Sequence, residues 1–206
     1  MKTIVYVDGL NLFFGSLKGT SYKWLDLNRF FVALLPQNEI IKIKYYSAYV
    51  SAQPDDPNRP TRQEIYFRAL RTLPNIEIIL GEFHTMEKNC ILAGYNPNTP
   101  KYAKVIVTQE KRTDVNIATH LVNDAHKKMF DIAVVVTNDS DLLEPIRLVQ
   151  KLGLKVGLVN PQKHTSQILA KNVTFIKQVR KGALEDCQFP DHLEDSTGPF
   201  SKPIGW

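Results

Sequence analysis

The residues best equipped for chemistry are aspartates at the ends of apolar runs. Asp8 closes the run in VYVDGLN with Asn11 three residues on, Thr113 and Asp114 open a helix-period segment, and Asp139 and Asp141 follow IAVVV in TNDSD. If these three places meet at one edge of a sheet, Asp8, Asp114, Asp139 and Asp141 converge. Two unit charges ~5 Å apart at an effective dielectric of ~20 repel by ~3 kcal/mol, and each added carboxylate multiplies the pairs, so protonation or a cation must relieve them. Hard oxygen donors, with no Cys and no suitably spaced His nearby, favour Mg²⁺ or Mn²⁺. Such ions keep waters and bind through a few carboxylates plus substrate phosphates. The chemistry this suggests is phosphodiester hydrolysis by metal-activated water.

Each residue also has a purely structural reading. Asp139 or Asp141 can cap the helix that begins DLLE, with Pro145 tolerated in its first turn. Thr113 and Asp114 can cap the next helix and complement its dipole, and Asp8-Gly9 can be a turn. Asn11 divides between positioning a water or phosphate oxygen and serving as a cap. Taken together, three acidic strand-edge positions are better explained by a site. Glu110, in QEKRTD, is an outer carboxylate of that site or a partner of Lys111 or Arg112. Lys101, Lys104, Lys111 and Arg112 are candidate phosphate contacts, with a solvated loop as the competing explanation. Tyr45, Tyr46 and Tyr49 read as strand packing rather than a base-stacking surface. His120 and His126 are six residues apart and do not share a helical face as metal ligands would.

The elements that must position these residues alternate. Nearly continuous apolar runs at 3–7 and 132–136 are typical of parallel strands covered on both faces. Further strands are expected at 40–50, 76–80, 105–107, 156–159 and 173–176, and helices at 10–17, 27–35, 61–73, 115–129, 142–152 and 166–170. This order predicts an α/β fold, a Rossmann-like α/β/α sandwich with a central, mainly parallel sheet whose sites form outside the carboxyl ends of the strands. Residues 83–104 break the alternation and predict a hairpin arm or flap, with a turn at 96–100. The domain is expected to span 1–181. Residues 182–206 lose periodicity and read as an acidic tail free to drape on it.

At 206 residues, 43% hydrophobic and 23% charged, the chain suits one globular domain; collagen, bulk disorder and disulfide scaffolds are excluded. Residues 183–206 hold one lysine against five carboxylates, so the overall charge of +5 leaves +9 on the residues before them. That excess suggests a polyanionic partner, nucleic acid first, with a generic basic surface as the equal alternative. Cys90 and Cys187 have no companions at metal-ligand spacing, which fits a reducing cytosol. The apolar stretch before Asp8 is too short for a signal peptide or for the ~20 residues of a membrane helix, so a soluble, cytoplasmic protein is expected.

The three motifs, in this order along the chain, resemble the NYN domain family of the PIN-like nuclease superfamily. The resemblance covers roughly residues 1–181 and rests on VYVDGLN, EKRTDVNIA and AVVVTNDSDL. It implies a PIN-like fold and a Mg²⁺- or Mn²⁺-dependent nuclease acting mainly on RNA, with endonucleolytic cleavage the expected mode. Asp8, Asp114, Asp139 and Asp141 match the family's acidic positions, Asn11 its asparagine, and Glu110 an acidic position of some members. His120 stands where many relatives carry an aspartate. That departure keeps open a non-cleaving RNA-binding or regulatory module. DNA as a substrate and homo-oligomerisation are likewise left open, since neither discrimination by the 2′-hydroxyl nor subunit contacts are legible in these motifs.

Overall fold

The computed structural model describes residues 1–98 and 100–206; Thr99, part of the turn expected at 96–100, lies outside the described residues. Among the described residues, the strands are β1 (Lys2–Asp8), β2 (Glu39–Ala48), β3 (Ile76–Ile91), β4 (Tyr102–Lys111), β5 (Ile132–Val136), β6 (Lys155–Asn160) and β7 (Phe175–Gln178). They form one sheet in the order β4-β3-β2-β1-β5-β6-β7, with neighbours parallel except for the antiparallel pair β3 and β4. β1 pairs with β2 on one side and β5 on the other, so the strand order reverses there. The crevice outside the carboxyl ends of β1 and β5 is the place where such sheets bind ligands.

The apolar runs explain why β1 and β5 are central. Thr3 to Asp8 and Ile132 to Val136 are buried, and successive side chains of β1 go to opposite faces. Val5 and Val7 join one core, with Trp24, Phe30, Phe31, Tyr45 and Phe67; Ile4 and Tyr6 join the other, with Tyr46, Ile117, Leu121 and Ile146. The first core is covered by α1 (Gly9–Leu12) with its π-helical continuation Phe13–Leu17, by α2 (Leu27–Leu34) and by α3 (Arg59–Arg71). The second lies under α4 (Thr113–His126), α5 (Leu143–Lys151), which follows a tight turn at Ser140–Leu142, and α6 (Gln167–Ala170). The second core also holds a buried ion pair: Lys44 Nζ lies 2.6 Å from Asp124 Oδ2, which also accepts from the Tyr6 hydroxyl at 2.7 Å.

Two stretches differ from the sequence reading. β3 does not stop at residue 80: Ile43 to Ala48 of β2 pair with its first part, from Ile76 to Gly81, and Glu82 to Ile91 continue as a ribbon with β4. This ribbon is the expected arm, longer than its short apolar stretches suggested because pairing there is carried by polar and apolar residues alike. The chain after residue 181 is not a loose tail. It forms α7 (Lys181–Asp186) and a hairpin of β8 (His192–Asp195) with β9 (Gly198–Ser201). Leu184, Cys187 and Phe189 are buried in the first core, Trp24 Nε1 donates to the Pro190 carbonyl at 2.9 Å, and Arg68 forks onto Asp195 at 2.6 and 2.8 Å. Three apolar anchors at irregular spacing carry no period, which is why this packing escapes a sequence scan.

Candidate active site

Asp8 ends β1 at the strand-order reversal and is only 4% exposed. Its Oδ1 accepts from the Asn11 backbone N–H at 2.9 Å, while Oδ2 accepts from Asn11 Nδ2 at 3.0 Å and from the Thr137 hydroxyl at 3.2 Å. Burial pushes the Asp8 carboxyl upward, the donors from Asn11 and Thr137 pull it down, and the Asp139 charge raises it again. Asp8 therefore is the cap of α1, but its side chain is held more firmly than a cap requires.

Asn11 and Thr137 tie the strand ends together. Asn11 Oδ1 accepts from the Asn138 backbone N–H at 3.2 Å and from Gln162 Nε2 at 3.1 Å, joining the loops after β5 and β6. The Thr137 hydroxyl donates to Asp8 and accepts from the Asp139 backbone N–H at 3.0 Å. Asp139 in turn caps the following turn, accepting from the Asp141 N–H at 3.0 Å. The cap uses one oxygen of Asp139, Oδ1, so the capping reading does not exclude the site reading.

Asp114 sits in the first turn of α4. Its carboxyl is pushed up to about 6, first by burial and then by the charges of Asp8, Asp139, Glu110 and Asp141. The other four acidic candidates thus lie within electrostatic reach of Asp114. None of them forms an ion pair among the described residues. The cap of α4, however, is neither Thr113 nor Asp114. Glu110 Oε1 accepts from the Thr113 N–H at 3.0 Å and from the Thr113 hydroxyl, while Arg112 turns the chain with φ of 82°. Gly81 makes room for this knot, since a Cβ there would lie 2.5 Å from the Lys111 carbonyl oxygen and against Glu110.

The basic candidates separate. Lys111 and Arg112 lie where β4 hands over to α4, with Arg112 paired to Glu82 at 2.5 Å. Lys104 pairs with Glu87 on the arm, and Lys101 lies near the Tyr95 and Tyr102 rings. Seven strand residues, ~23 Å at the usual rise, separate Lys104 from Lys111, so Lys101 and Lys104 belong to the arm and are not brought to the carboxylates. Tyr46 is buried and bonds His120 Nδ1 at 3.0 Å, so His120 is engaged on the second core. Thr137, Gln162 and Gly81 were not singled out by sequence reasoning. Only the buried polar position of Thr137, directly after an apolar strand, offered a signal.

Among the described residues no three His, Cys, Asp or Glu side chains are gathered as a ready-made cage. Mg²⁺ does not need one, because it keeps several waters and takes one or two carboxylates plus substrate phosphates. Carboxylate oxygens without a competing cation, repelling one another at Asp114, are a donor set that fits a hard divalent ion.

The family model of the NYN domain matches residues 2–179. The chain belongs to the NYN domain family. This NYN domain is 29% identical to 6-hydroxy-3-succinoylpyridine 3-monooxygenase HspA of Pseudomonas putida, in an alignment covering 100% of this chain and 75% of that protein. Its fold is similar to the crystal structure of a protein of unknown function from Vibrio parahaemolyticus, with a TM-score of 0.57 and 20% identity, covering 87% of this chain and 93% of that one. The family and the sheet order agree on an α/β, PIN-like fold. No helix among the described residues is long and apolar enough to cross a membrane.

Proposed function

We propose that this NYN domain is a Mg²⁺- or Mn²⁺-dependent ribonuclease that hydrolyses RNA phosphodiester bonds endonucleolytically in a reducing cytoplasm. The observation that carries the reading is the action of four carboxylates on Asp114 with no ion-pair partner for any of the five among the described residues. Asp8, Asp114 and Asp139 would hold the ion, with Asp141 completing or orienting the set. A bound ion would lower the pKa of its water and offset charge building on the phosphate. Asn11 and Thr137 keep the Asp8 carboxylate in one orientation, which spares that cost when substrate arrives. Lys111 and Arg112 flank the site as phosphate contacts, and the +9 charge of residues 1–182 draws a polyanion toward it.

The test is cleavage of labelled single-stranded and structured RNA, with DNA controls, by wild type, Asp8→Asn and Asp139→Asn in Mg²⁺, Mn²⁺ or EDTA. Cleavage by wild type alone, lost in EDTA, is expected, with all three proteins unfolding cooperatively. Full activity of repurified Asp139→Asn overturns the site assignment. No cleavage by wild type overturns the hydrolytic reading, and salt-sensitive RNA retention would then mark a binding module. The name of the Pseudomonas relative supports a second reading, chemistry on a small ring compound, because the similarity spans this whole chain.

A further inference from the structure

A cavity of about 220 Å³ opens on the α1–α3 side of the sheet, and its wall includes Gly9, the residue after Asp8. Glycine is required there: a Cβ on Gly9 would stand 2.6 Å from the Tyr45 ring. Tyr45, Phe14 and Trp206 give the cavity aromatic faces, and Phe14 is 55% exposed. The Tyr45 hydroxyl is pushed above its ordinary range by burial and, among lesser causes, by the Asp8 charge, which places this wall within electrostatic reach of Asp8.

The same cavity is strongly cationic. Lys18, Lys23, Arg59 and Arg62 line it against the single carboxylate of Asp56, and Asp56 is taken by Arg62 at 2.5 Å. Among the described residues Lys18, Lys23 and Arg59 make no ion pair. Lys18 Nζ stands 5.1 Å from the Phe14 ring centroid and Lys23 Nζ 5.7 Å from that of Trp206. Four cations against one carboxylate leave an excess of positive charge, which beside low-dielectric walls concentrates anions, and the aromatic faces they border accept a flat apolar body.

We propose that this cavity is a binding site for a planar aromatic ring that carries an anionic group. Its volume is below the ~300 Å³ at which drug-sized pockets begin, which limits the occupant to about one ring system and its charged substituent. Two sources share that chemistry: a nucleotide, with base and phosphate, and a small aromatic carboxylate. In either case the ring lies against the wall that holds Gly9 and Tyr45, one residue along the chain from Asp8, so the site adds a recognition element to whatever the carboxylates do. The inference goes beyond the hydrolytic reading and does not require it.

The experiment titrates full-length Asp139→Asn with adenosine 5′-monophosphate, benzoate, adenosine, benzyl alcohol and inorganic phosphate. Using this variant keeps failure of binding distinct from failure of cleavage. The readouts are tryptophan fluorescence and calorimetry. Trp24 is fully buried, so quenching by a ligand in the cavity reports Trp206. At least one of the two charged ring compounds is expected to bind about tenfold or more tightly than its uncharged counterpart and than phosphate. Combined Lys18→Gln and Arg59→Gln changes should weaken it about tenfold at an unchanged unfolding midpoint, and Phe14→Ala should weaken it as well. Binding of the nucleotide assigns the first source; binding of benzoate alone assigns the second. Binding of neither, or equal binding of charged and uncharged rings, overturns the proposal.

Discussion

Replacing Asp114 by Asn should remove a pH-dependent instability of the metal-free protein. The Asp114 carboxyl is pushed from 3.8 up to about 6 by burial and four neighbouring carboxylates. Between those values the folded chain keeps a proton that the unfolded chain releases. Stability is therefore fully present below about pH 4, falls as pH rises through about 6, and stays low above it. At ~1.4 kcal/mol per unit the shift corresponds to at most ~3 kcal/mol. Asp114 is only partly buried, and screening reduces the expected loss to ~1–2 kcal/mol. Urea unfolding in EDTA from pH 4.5 to 8 measures it. Asp114→Asn should match wild type at the acid end, exceed it by ~1–2 kcal/mol near neutrality, and lose most of the stabilisation that Mg²⁺ confers on wild type. Parallel stability curves for the two proteins, or equal stabilisation of both by Mg²⁺, would refute the convergence of carboxylates on this residue.

Two further outcomes test the frame around the site. Lys44→Met leaves Asp124 buried without its cation, with only the Tyr6 hydroxyl as partner among the described residues, and should cost ~3–5 kcal/mol in urea unfolding, whereas the double change Lys44→Met with Asp124→Leu should recover much of it; equal loss in both would show that the pair is only a packing element. Ending the chain at residue 181 leaves every acidic candidate in place but strips Leu184, Cys187 and Phe189 from the first core. With ~1.5–3 kcal/mol for each large apolar side chain, a loss of several kcal/mol and a red-shifted Trp24 emission are expected, and an unchanged unfolding midpoint would refute the packing argument.

What the sequence determined by itself is the frame and the acidic set. Uninterrupted apolar runs at β1 and β5 require a parallel sheet covered on both faces, and that topology alone puts Asp8, Asp139 and Asp141 at its carboxyl edge. The Asp8 to Asn11 spacing places both at a helix start, where they bond each other. Only the tertiary structure decided which partners those groups keep. The Thr137 hydroxyl reaches Asp8 across 129 residues, and Gln162 reaches Asn11 across 151. Glu110 proves to cap α4 as well as to act on Asp114, Lys101 and Lys104 prove to ride on the arm, and the acidic C-terminal segment proves to send Leu184, Cys187 and Phe189 into the core. The cavity beside Gly9 draws its rings and cations from the π-helical turn, β2, α3 and Trp206. Local periodicity encodes which face of an element is buried, whereas contacts between residues more than a hundred positions apart depend on strand order and register, which emerge only when the whole chain packs.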